Sequence, residues 1–343
     1  MDEAVRALLR EAEHAHDAGL WLKAASALVR ASDHDEAGRA LLWARALGAE
    51  TAPVDDALAP PTLEHERRAV GSLLGAGACR CFGWTPASDA LYAAAGDSMI
   101  VKLGVAPGNN RRVKELRRRA LALAANLTED ALVLVSLPDD MGSLEPRVHT
   151  DVLDLTTGEL VESGIKTGWL GNSVVTAYMD GDACVSDSRM ASRFSVRSPA
   201  QHVDARVDDG AVVTWLGEVV KPPPAEPGAP RTLRMVFTTG DHVLSFPTRR
   251  SVERFAELAT IERAHMNAHE VRDSFPCVAA SPSGRHVAFA GRGLVRLVDL
   301  VTGERRDVEL AAEHASLDAR WAPSGRRLAV LTADRVHIFS FPR

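Results

Sequence analysis

AASPSGRHVAFA (residues 279–290) and RWAPSGRRLAVL (residues 320–331) are two copies of one pattern, set 41 residues apart. Each leads into Pro-Ser-Gly, passes one basic residue or two, and enters an apolar run. Proline fixes φ in such a turn and glycine relieves the backbone that follows, so Pro-Ser-Gly reads as a tight reversal. A second strand-like run follows each copy, LVRLVD (294–299) and RVHIFSF (335–341). The runs are alternating or wholly apolar, as half-buried and fully buried strands are.

Weaker copies extend the pattern back along the chain. The turn-then-strand anchors are Leu91, Leu132, Val174, Val212, Val243, Val287 and Leu328, at spacings of 41, 42, 38, 31, 44 and 41 residues. Trp84 and Pro86 repeat Trp321 and Pro323 at a distance of 237 residues. Six equal steps over that distance are about 40 residues each, the length of a β-propeller blade. DLTTGE (154–159) returns as DLVTGE (299–304) in the third-strand position.

These turns and strands resemble the WD40 family and its prokaryotic relatives. The Gly-His and terminal Trp-Asp pairs of that family are absent, and the middle copies are irregular. KPPPAEPGAP (221–230) reads as an exposed excursion, and SVERFAELATIERAHMNAHE (251–270) has helical character. The expected fold is mainly β, a seven-bladed propeller over 67–343 behind a small helical domain. Six blades plus a helical insertion is the alternative. The chain ends after the third strand of its last blade, so the outer strand must come from elsewhere, and residues 68–74 are the candidate. Closure of this kind shields edge strands.

Residues 1–48 read as helices. Val5, Leu8, Leu9, Ala12 and Ala15 follow a 3.6-residue period. Gly19 punctuates, a second helix runs from about Trp21 to Ala31, and Ser32 and Asp33 supply the cap of a third. Gly19, Trp21, Ala24, Leu28 and Ala31 resemble one tetratricopeptide unit, in which small residues let two helices approach and the aromatic fills the wedge. A lone unit either packs on its own propeller or is completed by a partner. Residues 49–66, with Pro53, Pro60 and Pro61, read as a Pro-rich acidic linker.

Composition narrows the function classes. A net charge of −6 argues against a generic nucleic-acid binder. No apolar run approaches a membrane span, and the acidic amphipathic start lacks the features of a secretory signal. The expectation is a cytoplasmic protein, and Ala-rich, Arg-over-Lys usage suggests a GC-rich bacterial source. Four cysteines in 343 residues are not a disulfide framework. Cys79 and Cys81, Cys184 and Cys277 read as small strand residues, the first two facing one side.

Candidate chemistry is sparse. His265 and His269 have helical zinc-pair spacing, but Met266 stands where a zincin needs Glu and no third ligand is placed. Asp180 and Asp182 lack the further oxygens of a calcium loop. Asp208-Asp209-Gly210 is too far from Trp215 for an Asp box. There is no nucleophile elbow and no phosphate-binding glycine loop. The best local anomaly is a basic run in an acidic chain: Arg111, Arg112, Lys114, Arg117, Arg118 and Arg119. It is a possible partner-binding cluster. Its bland reading is a solvated rim, or one facing the helical region, where 13 acids stand against 6 bases before residue 67.

The functional expectation is a non-enzymatic protein-interaction scaffold, a subunit of a bacterial multi-protein complex. Its partners would be other proteins, with no cofactor, no membrane and no defined small-molecule ligand. An enzyme or small-molecule binder with its site at the central channel is the competing class. Nucleic-acid binding through 111–119 is a third.

Overall fold

The structure, a computed structural model, describes residues 3–47, 49, 51–70, 79–96, 98–106, 108–136, 147–168, 277–283, 285–299, 301–310, 316–332 and 335–342, and the backbone of strands between 174 and 247.

Four helices come first: α1 (Glu3–Ala15), α2 (Ala18–Arg30), α3 (His34–Ala46) and α4 (Ala52–Leu58). Val5, Ala12, Trp21, Leu28, Leu41 and Leu58 are among the residues of their shared core. Trp21 and Trp43 stack with ring centroids 5.1 Å apart. Three details differ from the sequence reading. Gly19 lies inside α2, because the Asp17 carboxylate accepts from the Leu20 N–H (2.9 Å) and starts the helix at Ala18, three residues before Trp21. Ser32 closes α2 rather than capping α3. At φ 60° it lets the N–H groups of Ser32 and Asp33 bond back to Val29 and Leu28, a Schellman turn. Inside the expected linker, α4 forms because Pro53 falls in its first turn, where a missing N–H costs nothing.

From residue 66 the regular structure of the described residues is strand; residues 221–230 and 251–270 lie outside the described residues. A first strand, β1 (Glu66–Val70), precedes the sheets. β2 (Cys79–Trp84), β3 (Ala90–Ala95), β4 (Met99–Gly104) and β5 (Arg111–Glu115) form the first antiparallel sheet. β6 (Ala120–Ala125), β7 (Ala131–Ser136), β8 (Arg147–Asp154) and β9 (Leu160–Gly168) form the second. β10 (Val174–Ala177), β11 (Asp182–Ser186), β12 (Met190–Ser195) and β13 (Ser198–Arg206) form the third. Two-stranded sheets follow, β14 (Val212–Val213) with β15 (Val219–Val220), then β16 (Arg234–Thr239) with β17 (His242–Pro247). β18 (Cys277–Ala280), β19 (His286–Ala290), β20 (Leu294–Asp299) and β21 (Arg305–Glu309) form the sixth. β22 (Ser316–Trp321), β23 (Arg327–Thr332) and β24 (Val336–Ser340) form the last, and β1 is its fourth strand, antiparallel to β24 with Arg68 opposite Ile338.

Each of the seven anchors lies in a different sheet. Leu91, Leu132, Val287 and Leu328 sit on second strands, but Val174 opens a first strand. The long connection between β7 and β8 lengthens the second blade and slips the repeat by one strand. The first strands of neighbouring sheets lie side by side, β2 by β6, β6 by β10, β18 by β22, and β22 by β2. Apolar cores fill the gaps between blades. One joins Phe82, Leu91 and Val101 to Leu331 and Ile338, across the junction of last blade and first. Three first strands bulge near their starts, at Cys79/Cys81, Ala120/Ala122 and Ser316/Asp318. A bulge interrupts strand alternation, so the two-residue spacing of Cys79 and Cys81 does not set a shared side.

The repeated Trp-x-Pro has a structural role. Trp84 Nε1 donates to the Arg320 carbonyl (2.9 Å) and Trp321 Nε1 to the Ala279 carbonyl (3.1 Å). Each indole reaches from the end of its first strand to the matching strand of the preceding blade. Trp84→Phe keeps the ring but orphans that carbonyl. It should destabilise the protein by about 1–2 kcal/mol in denaturant melts, and an unchanged midpoint would refute the stitch.

Candidate interaction surface

Strand direction sorts the connections onto two faces. In each four-stranded blade the first–second and third–fourth turns lie at one end, and the second–third turns and blade-to-blade links at the other. At the first end one turn geometry recurs. The N–H of Thr85, Asn126, Ser281 and Ala322 bonds the carbonyl five residues on. The left-handed position is held by Gly325 (φ 66°), but also by Ser88 (φ 60°) and Glu129 (φ 57°). Glycine is the usual solution there. The other two use their side chains to reach the preceding blade. Ser88 Oγ accepts from the Ser324 N–H (3.0 Å). Glu129 accepts from the Tyr92 hydroxyl (2.9 Å) and pairs with Lys102. Burial and the Glu129 carboxylate push the Tyr92 pKa up.

The N-terminal helices meet the propeller at this end. A Cβ on Gly38 of α3 would stand 2.5 Å from Ser324 Cα, so helix and turn touch backbone to backbone. Arg327 pairs with Asp35 of α3 (2.7 Å) and also donates to the Ser88 carbonyl (2.8 Å). Arg285 donates to the Pro61 carbonyl (3.3 Å) and Arg306 to that of Leu63 (3.2 Å).

The basic run is divided between a blade edge and the opposite end. Arg111, Arg112 and Lys114 lie on β5, the outer strand of the first blade. Arg111 acts on the Tyr92 hydroxyl, and Lys114 Nζ donates to the Gly158 carbonyl of the next blade (2.8 Å). Arg112 is exposed. Arg117, Arg118 and Arg119 form the link to the second blade. Arg118 lies 3.9 Å from the buried Asp151 carboxylate, Arg119 buries its Nε, and Arg117 points to solvent. Arg327, outside this run, pairs with Asp35 of the helical domain. Arg292, in the β19–β20 turn, is exposed at the same end as Arg117.

Crossing the gaps between blades is a habit of the outer strands. Arg67 bonds the Glu309 carbonyl and Arg68 the Val105 carbonyl (2.7 Å), as Lys114 bonds Gly158. Sequence reading placed Lys114 in a surface cluster, and only the strand pairing shows what it reaches.

The chain has no match among family models or curated proteins. Among solved structures it is similar to the β-propeller domain of Cps50 (Swd1) from Myceliophteria thermophila, at 13% identity and a TM-score of 0.51, over 82% of this chain and 100% of that one. The fold is a WD40-like β-propeller. Also similar are U3-55K (TM-score 0.40, 13% identity, 80% of this chain and 98% of that one) and the WD40 repeats of RRP9 (0.38, 13%, 83% and 99%). In this propeller DLTTGE and DLVTGE are third-to-fourth-strand turns. Asp154 Oδ1 accepts from the N–H of Thr156 and Thr157, and Asp299 Oδ1 from those of Val301 and Thr302.

His265 and His269, Asp180, and Asp208 through Gly210 lie outside the described residues. Among the described residues, no group of His, Cys, Asp and Glu could hold a metal ion, and no helix is long and apolar enough to cross a membrane.

One buried titratable group sits between the last two blades. His286 is fully buried, its Nε2 3.6 Å from Asp299 Oδ2, too far for a hydrogen bond. Burial lowers its pKa to about 4, with Arg285 and Arg326 pushing the same way and Asp299 pulling back. Burial also acts to raise the Asp299 pKa. Arg285 (2.7 Å) and the two turn N–H groups outweigh it and hold the carboxyl low. His286 is not placed for catalysis.

Below pH 6.5 the unfolded chain takes a proton at His286 that the folded chain refuses until about pH 4. Stability therefore falls as pH drops through that window, by an amount on the order of 3 kcal/mol. His286→Gln should flatten this part of the pH profile of denaturant melts, and an unaltered slope would refute it. At Glu129, both Ala and Gly remove the link to Tyr92 and Lys102, but only Gly relieves the left-handed backbone. Glu129→Ala should be less stable than Glu129→Gly by about 1 kcal/mol, and the reverse order would show that the backbone there is unstrained.

Proposed function

We propose that the chain is a non-enzymatic protein-interaction scaffold, a subunit of a bacterial multi-protein assembly. The observation that carries this reading is the asymmetry of the WD40-like propeller. One end is contacted by the chain's own helices at the last blade, while the other exposes, among the described residues, Arg117 and Arg292. Rigid blades under variable loops are a general means of displaying a binding surface. Arg68, Lys114 and Glu129 link neighbouring blades, and His286 and Asp299, 3.6 Å apart, are sealed from solvent.

Of the run Arg111 to Arg119, Arg111, Arg112 and Arg117 are the exposed members; the first two lie on the edge strand of the first blade, and Arg117 with Arg292 is the pair we assign to partner contact. A surface arginine there would steer an acidic protein and speed encounter more than it deepens affinity.

The test is purification of the tagged full chain from its native host at moderate salt, after nuclease treatment, with mass spectrometry of what is retained. A stoichiometric protein partner is expected, with recovery reduced about tenfold by Arg117→Glu with Arg292→Glu. Recovery of the chain alone, or loss of every companion on nuclease treatment, would overturn the scaffold reading. A partner retained equally by the double variant would move the contact away from these arginines.

A further inference from the structure

The helical domain has two possible roles, binding a partner or acting on its own propeller. The contacts favour the second. The ring is closed non-covalently by the pairing of β1 with β24 inside the last blade, and beside that pairing the last blade packs against the first. At that junction Ser324 and Arg327 of the last blade bond Ser88 of the first. The same two residues receive α3, through the backbone approach of Gly38 to Ser324 and the Asp35–Arg327 ion pair. One turn thus joins three parties: α3, the last blade and the first.

The segment between the helices and β1 follows the same course. Leu63 is fully buried in the core between the last two blades, with Trp321, Leu328 and Phe339. His65 packs edge-on to Phe339 with ring centroids 5.3 Å apart. Arg285 and Arg306 hold the carbonyls of Pro61 and Leu63. From there the chain enters β1, whose partner strand is β24. The helices are therefore tied to the last blade twice, by covalent continuity into β1 and by the docking of α3 on the Ser324–Arg327 turn.

We infer that the helical domain is a clasp for ring closure: α3, seated on the Ser324–Arg327 turn, restrains the junction between the last and first blades and steadies β1 in its place. The inference stands apart from the scaffold reading and can fail without it. It carries one consequence for partners, since the turn surface under α3 is occupied by the chain itself.

Hydrogen-exchange mass spectrometry of the full chain tests the clasp. Gly38→Val puts side-chain atoms where turn backbone lies, so docking must loosen. Amides of β1, β24 and residues 84–90 should then exchange about tenfold faster, while β6 and β7 of the second blade keep their wild-type rates. Asp35→Ala removes only the ion pair and should give a smaller acceleration, about threefold, in the same segments. It serves as the readout if Gly38→Val does not fold. Asp35→Glu should restore near wild-type rates. Acceleration confined to residues 3–58 would overturn the clasp, because the helices would then be passengers. Acceleration reaching β6 and β7 equally would also overturn it, because the effect would be global.

Discussion

Everything in this propeller depends on closing a ring of sheets through the non-covalent pairing of β1 with β24 inside the last blade. The last blade receives three strands from the C-terminal part of the chain and the fourth from residues 66–70. Without β1, the backbone of β24 would be an open edge with unpaired N–H and carbonyl groups, costly in itself and a template for association. The strand pairing removes that edge. The core shared by Phe82, Leu91, Leu331 and Ile338 holds the two blades together on the inside. Polar contacts on either side of that core, from Trp84, Ser88, Arg68 and Arg327, fix its register.

The same economy of contacts recurs away from this closure. Blades diverge toward the rim, so apolar packing weakens outward and polar side chains take over. At the centre, small residues let first strands approach closely: a Cβ on Gly83 would lie 3.1 Å from the Leu123 carbonyl. At the turn end, Ser88 and Glu129 in left-handed positions reach the preceding blade with their side chains. On the rim, Arg67, Arg68, Arg306 and Lys114 span the clefts to backbone carbonyls. A charged donor to a carbonyl is stronger than a neutral one, which suits a gap too wide for aliphatic contact. This use of arginine and lysine explains why a basic run can sit in an acidic protein without forming one continuous surface.

Much of the architecture was legible in the sequence because its signals are local. Pro-Ser-Gly marks a turn, the apolar runs mark strands, and their spacing marks blades. The third anchor misled because Val174 has the right residue type at the right distance, yet a longer second blade puts it on the first strand. The bulges at Cys79, Ala120 and Ser316 left no trace, since they depend on pairing with the neighbouring strand. Ser88 and Glu129 hid the turn geometry by standing where glycine is expected, as their side-chain partners belong to other blades. The fourth helix was masked by Pro53, read as a breaker although the first turn of a helix accepts it.

The sequence alone determined the period, the strands, the helical start and the need for an outer strand from elsewhere, because each follows from residue type and spacing along the chain. Only the tertiary structure decided where the helices dock, which of the six basic residues face solvent, and that His286 is sealed beside Asp299. Those outcomes depend on which residues, far apart in the chain, are brought against one another. Gly38 has no special meaning until the Ser324 turn lies against it, and Lys114 is a surface cation until Gly158 of the next blade offers its carbonyl.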